Sequence, residues 1–226
     1  MISDGDRIAI GLSGGKDSLA LVHALAHFRS VAPIDFELRA ITVDAGWPGL
    51  DLTAMRRFVE GYGVPLTIVP TQIGEVVFTI RNESNPCALC ANMRRGALNS
   101  RAAELGCNKL ALAHHLDDAI ETMLLSLFHE GRFHCFQPVT YLSRKDITVI
   151  RPMIYVWERD VAAIARDLEF PIVPNPCPVN HQTQREEMKR LVAELDRRFP
   201  GVSHRLAAAL KSRPGTLPWG QYRVEG

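Results

Sequence analysis

Apolar positions recur along the chain with two periods. Arg7-Ile8-Ala9-Ile10-Gly11-Leu12 is a short, nearly continuous apolar run, which predicts a buried strand. Polar Ser13-Gly14-Gly15-Lys16-Asp17-Ser18 follows at once, and Leu19, Leu21, Val22, Leu25 and Phe28 then recur at helical spacing. Further strands are predicted around Leu38 to Val43, Pro65 to Val69, Lys109 to Ala113 and Thr148 to Arg151. Helical patterns run from Leu52 to Tyr62, Cys90 to Leu105 and Asp117 to His129, with Arg81 to Pro86 read as loop. Beyond Pro152 the chain turns to helices separated by a Pro-rich loop, Phe170 to Pro178.

Strands alternating with helices predict right-handed β–α–β crossovers and an α/β fold, a doubly wound parallel sheet covered on both faces. Ligands of such sheets bind at the carboxyl ends of the strands. Ser13–Ser18, Asp44 and the segment His114 to Asp118 all fall at such ends, so three polar segments share one predicted rim.

Composition narrows the picture. The 226 residues are 46% hydrophobic and 23% charged, enough for one substantial core, and the net charge of +1 confines any nucleic-acid contact to local patches. No apolar run reaches membrane-spanning length and no export signal opens the chain, so a cytoplasmic protein without a membrane partner is expected. Five cysteines in that setting favour metal chemistry over a disulfide framework.

The phosphate loop is the sharpest local signal. In Ser13-Gly14-Gly15-Lys16-Asp17-Ser18 the glycines admit backbone amides close to an anion, the helix start adds its dipole, and Lys16 adds a point charge. The spacing is not that of a Walker A loop. Asp44 ends the second strand on the same predicted rim, although an ordinary helix cap or loop Asp reads the same way. Asp117 and Asp118, with Glu121 one turn on, suit Mg²⁺ beside a triphosphate, although acidic residues are favoured in any first helical turn.

Cys87-Ala88-Leu89-Cys90 reads as a pair in a loop before a helix, fit for redox, zinc or iron–sulfur chemistry. Cys177 lies in the loop Asn175-Pro176-Cys177-Pro178, whereas Cys107 and Cys135 sit in apolar surroundings that suggest core positions. Arg94, Arg95 and Arg101 follow the pair on one helix. From His181 to Arg213 eight Lys or Arg stand against four acidic residues, which suits a phosphate-tracking surface or an ordinary solvated face.

In combination these segments resemble a known family. Ser-Gly-Gly-Lys-Asp-Ser at 13–18 is similar to the loop of the N-type ATP pyrophosphatases. With Pro86-Cys87-x-x-Cys90, His114-His115-x-Asp117-Asp118-x-x-Glu121-Thr122, Ile150-Arg151-Pro152-Met153-Ile154-Tyr155-Val156-x-Glu158-x-Asp160, Phe170-Pro171-Ile172 and Cys177, the chain resembles the tRNA 2-thiocytidine synthetases over nearly its whole length. The resemblance implies a PP-loop, adenine nucleotide alpha-hydrolase-like domain over 1–152. A helical extension over 153–226 would carry the third cysteine.

It implies ATP and Mg²⁺, with nucleotide contacts at Gly11, Ser13, Gly14, Gly15, Lys16, Asp17, Ser18, Val43, Asp44 and His114. It implies a [4Fe-4S] cluster on Cys87, Cys90 and Cys177, and catalytic roles for Lys16, Asp17, Asp117, Asp118 and Arg94. The partners it implies are tRNA, a sulfur donor (a cysteine desulfurase or free sulfide) and a second copy of the chain. The expected reaction adenylates C2 of a cytidine and replaces the oxygen with sulfur. The chain departs from the family in starting almost on its first strand, in Ala113 where members carry Gly, and in a single cysteine around position 177. A 2-thiouridine synthetase, an amide-forming enzyme with the same loop, and an ATP-binding module with structural zinc are the other readings.

Overall fold

The computed structural model describes residues 1–81, 86–174, 176–177 and 184–211. Two compact units emerge, one of residues 1–115 with 137–180, the other of 116–136 with 181–226.

The first unit is built on a six-stranded sheet of β1 (Asp6–Gly11), β2 (Phe36–Asp44), β3 (Leu66–Pro70), β4 (Lys109–Ala111), β5 (Val139–Leu142) and β6 (Ile147–Ile150). The spatial order is β3-β2-β1-β4-β6-β5. All neighbours pair in parallel except the β5–β6 hairpin, which closes one edge antiparallel. The crossovers carry α1 (Lys16–Val31), α2 (Thr53–Gly61), the short α3 (Ile73–Glu75) running into a wide π turn (Val76–Ile80), and α4 (Pro86–Glu104); α6 (Glu158–Asp167) follows β6.

Side chains alternate across a strand, and this sheet buries both faces. Ile8 and Ile10 of β1 enter a cluster with Leu21, Val22 and Leu25 of α1, Met55 and Val59 of α2, and Val161 and Ala165 of α6. Ala9, between them, faces the opposite layer with Ala102 of α4, Cys107 and Ile147. The doubly wound sheet expected from the alternation is therefore present. Because β1, β2 and β4 run parallel, Gly11, Asp44 and Ala111 end on one rim.

The predicted strands and helices recur within a few residues, with three differences. β5 is absent from the expectation; Val139 and Tyr141 are exposed on this edge strand, so apolar spacing marks it weakly. The turn-and-π segment over 73–80 is too short to show a helical period. Cys87, expected in a loop before a helix that starts at Cys90, instead lies with Cys90 at the start of α4, which begins at Pro86. Proline is favoured at a first helical position because its missing N–H has no partner there anyway. Most of the expected 81–86 loop lies outside the described residues.

The second unit packs α5 (Leu116–Glu130), α7 (Gln184–Arg198) and α8 (Val202–Lys211) against one another. Arg185 of α7 donates to Asp118 Oδ1 at 2.8 Å and to Thr122 Oγ1 at 3.1 Å, and lies 3.9 Å from buried Glu121. The Ser203 amide donates to Asp196 Oδ1 at 3.1 Å, joining α7 to the start of α8.

Candidate nucleotide and thiolate site

Serines shape the phosphate loop between β1 and α1. Ser18 Oγ donates to the Gly15 carbonyl at 2.9 Å and accepts the Ser13 amide at 3.2 Å, while Gly15 N–H reaches Ser13 Oγ at 3.3 Å. This network turns the loop into the helix, whose first hydrogen bond runs from the Leu19 amide to the Gly15 carbonyl. Gly14 has φ +85°, and a Cβ there would lie 2.9 Å from Val173 Cβ. The Gly14 carbonyl accepts the Val173 amide at 3.0 Å, so the segment after α6 braces the loop.

Lys16 is ion-paired. Its Nζ lies 2.9 Å from Asp17 Oδ1 and 2.9 Å from Glu158 Oε1. Burial alone would favour losing the Lys16 proton, but the hydrogen bonds to Glu158 and Asp17 outweigh it and raise the pKa. Buried His115 sits with Nε2 3.9 Å from Asp17 Oδ1. Arg151, buried at the end of β6, donates through Nη1 to the Gln137 carbonyl at 2.6 Å and through Nε to His114 Nδ1 at 3.3 Å. That bond makes His114 Nδ1 an acceptor and leaves its Nε2 to carry the proton.

At the end of β2, Val43 is buried beside Ala45, Ile73 and Val77. The Asp44 carboxylate accepts the Gly46 amide at 2.8 Å and fixes the turn, and its carbonyl takes the Thr71 amide and hydroxyl. The Asp44 side chain thus has a structural task of its own. Asp117 and Asp118 open α5 in the second unit, where Asp118 receives Arg185.

The cysteines separate into two groups. Cys107 is buried in the core, where burial pushes its thiol up, and Cys135 Sγ donates to the Ala119 carbonyl at 3.4 Å. Burial also pushes the Cys90 thiol above its ordinary value. Arg94 opposes this rise, and the neighbouring thiols of Cys177 and Cys87 add to it. The pair on α4 and the distant Cys177 therefore interact electrostatically, with one guanidinium beside them. Among the described residues no three His, Cys, Asp or Glu are gathered as metal ligands. The donor types suit iron: three soft, partly accessible sulfurs, of which Cys90 and Cys177 are half-buried.

Two residues of this unit had no role assigned from sequence. Glu158 pairs with Lys16 from 142 positions away, and Arg151 owes its importance to burial. Both lie in the quoted Ile150–Asp160 motif, the available signal. Of the basic residues suggested as a phosphate-tracking surface, Arg185 is engaged by Asp118, Arg101 by Glu104 at 3.0 Å, and Arg205 by the Phe199 and Pro200 carbonyls.

A parallel sheet carrying this loop at the carboxyl end of a central strand defines a PP-loop nucleotide-binding protein, and residues 3–194 match the PP-loop domain family. A tRNA-cytidine(32) 2-sulfurtransferase of Geobacter sulfurreducens is 41% identical over 213 residues, covering 93% of this chain and 83% of the relative. That of Syntrophotalea carbinolica is 44% identical, covering 93% and 82%. The structure of the U34-tRNA thiolase NcsA from Methanococcus maripaludis with its [4Fe-4S] cluster is similar, with a TM-score of 0.75 and 26% identity over 92% of this chain and 72% of that one. The chain belongs to the tRNA-cytidine(32) 2-sulfurtransferase family, the tRNA 2-thiocytidine synthetases its motifs resemble. No described helix is long and apolar enough to cross a membrane.

Proposed function

We propose that this enzyme uses ATP to adenylate C2 of a cytidine in tRNA and then exchanges the C2 oxygen for sulfur. The observation that carries the reading is the phosphate loop itself, shaped by Ser13 and Ser18 with Lys16 held at its end, in the compact unit that also contains Cys87, Cys90 and Cys177. The relatives' names support the substrate and the archaeal thiolase supports the cluster.

The amides of Gly14 and Gly15 and the start of α1 would bind the β- and γ-phosphates, with Lys16 compensating their charge. Ser13 and Ser18 hold that loop open through their mutual hydrogen bonds. His114, fixed by Arg151, presents an Nε2 donor suited to a phosphate or ribose oxygen. The base oxygen attacks the α-phosphorus and pyrophosphate leaves; sulfide then adds at C2 and AMP departs with the oxygen. Mg²⁺ would draw its ligands from the triphosphate, water and one or two carboxylates; Asp17 is the loop's own candidate, and Asp117 and Asp118 remain those of the motif.

Cys87, Cys90 and Cys177 would hold the [4Fe-4S] cluster, and a cluster held by three thiolates would supply a place for sulfide to bind. Burial raises the Cys90 thiol, and Arg94 offsets part of that rise, which would ease the deprotonation that ligation requires. The sulfur donor is a cysteine desulfurase or free sulfide. Anaerobic incubation of protein, iron, sulfide, ATP and unmodified tRNA should yield AMP and thiolated cytidine together, and Lys16→Ala should yield neither. Thiolation that proceeds without AMP formation would refute the adenylation step.

A further inference from the structure

Lys16 is the only cation in the loop Ser13–Ser18, yet two carboxylates share it. Asp17 is its chain neighbour. Glu158 is the first residue of α6, brought there because Val161 and Ala165 pack that helix into the α1 layer. The contact is direct, at 2.9 Å, and both side chains are mostly withdrawn from solvent, 27% and 20% exposed. An acidic first residue is favourable at any helix start. Glu158, however, reaches sideways to the one ammonium a phosphate needs. A phosphate that settles on the loop must therefore compete with two carboxylates for this ammonium.

Resting on the reading of Ser13–Ser18 as a phosphate loop, we infer that Glu158 is a positioning residue acting through Lys16, a counter-charge that phosphate displaces. It holds the ammonium extended in the nucleotide-free protein. It weakens the ground-state grip on the β- and γ-phosphates, and it retakes Lys16 as pyrophosphate leaves. No bond is made or broken by Glu158 and no proton need move. Selection for turnover favours such a device, because a loop that binds product as tightly as substrate slows release.

The test is pyrophosphate binding, with Mg²⁺, measured by calorimetry on the full chain. Glu158→Gln keeps the shape and a hydrogen-bond acceptor but removes the charge. It should bind pyrophosphate about tenfold more tightly, a difference of about 1.4 kcal/mol. In steady state the KM for ATP should fall with kcat, as product release becomes limiting. In a Lys16→Met background the same substitution should change pyrophosphate affinity less than twofold. Glu158→Asp, too short to keep the contact, should give the same direction if Glu158→Gln folds poorly. An ion pair that merely pins α6 to α1 predicts a lower melting temperature with unchanged or weaker pyrophosphate binding, and that result overturns the inference. Wild-type protein that binds no pyrophosphate would overturn the phosphate-loop reading as well, so the two failures are distinguishable.

Discussion

Adding one methyl group at Gly14 should unsettle the loop, whereas adding it one residue later should not. Gly14 has φ +85°, a region that costs an L-residue about 1–2 kcal/mol. The new Cβ would lie 2.9 Å from Val173 Cβ, well inside the normal carbon–carbon separation of about 3.5–4.0 Å. Val173 is held by the hydrogen bond its amide donates to the Gly14 carbonyl, so it cannot withdraw without weakening the brace. Overpacking of this kind costs about 1–3 kcal/mol. The two contributions place Gly14→Ala roughly 2–5 kcal/mol below wild type, lowering the melting temperature by roughly 5–15 °C for a chain of this size. Gly15 has φ −77°, and the nearest described atom to an added Cβ is Ser13 Oγ at 3.5 Å. Gly15→Ala should therefore match wild type or gain about 0.5 kcal/mol. Urea unfolding with ATP-binding calorimetry reads both effects. If Gly14→Ala is within about 0.5 kcal/mol of wild type and of Gly15→Ala, the close packing of loop and brace is refuted.

Asp6 accepts the Ser3 amide at 2.6 Å and the Asn108 side chain at 2.8 Å, and pairs with Lys109. Burial raises its pKa, but the bonds from Lys109, Ser3 and Asn108 outweigh that and lower it below 3.8. A depressed carboxylate stabilises the fold above its unfolded pKa and loses that contribution as pH falls through the folded one, so acid should erode wild-type stability below about pH 4. Asp6→Asn should lose about 2 kcal/mol at pH 7 and show a flatter acid limb in unfolding titrations; an unchanged limb would dismiss the pairing. Cys87→Ala should lose iron and sulfide after anaerobic reconstitution while ATP affinity holds within twofold, and Cys107→Ala should keep full iron content.

Local chemistry was legible in the sequence, and long-range pairing was not. Ser13–Ser18 declares itself because a phosphate loop is made by neighbours in the chain. The continuous apolar run at Ile8, Ala9 and Ile10, with strands alternating with helices, announces a sheet buried on both faces, which the two clusters around it display. Cys87 and Cys90 stand out by their spacing, but the helix expected from Cys90 starts at Pro86, a residue favoured at a first helical position. The grouping of Cys177 with Cys87 and Cys90 comes from the family resemblance and not from spacing, whereas nothing in the sequence says that Glu158 reaches Lys16 across 142 positions. Asp44 adds a task that its place at a strand end does not announce: its carboxylate fixes the turn at Gly46. The β5 edge escaped notice because half its side chains face solvent and so supply no apolar run.

The central claim is that this chain places sulfur on a tRNA cytidine. Mass spectrometry of tRNA nucleosides from cells lacking the protein, from wild-type cells, and from cells complemented with Cys177→Ser tests it most directly. The account predicts that 2-thiocytidine disappears in the deletion, returns with the wild-type chain and stays absent with Cys177→Ser. Undiminished 2-thiocytidine in the deletion, or full restoration by Cys177→Ser, would contradict it.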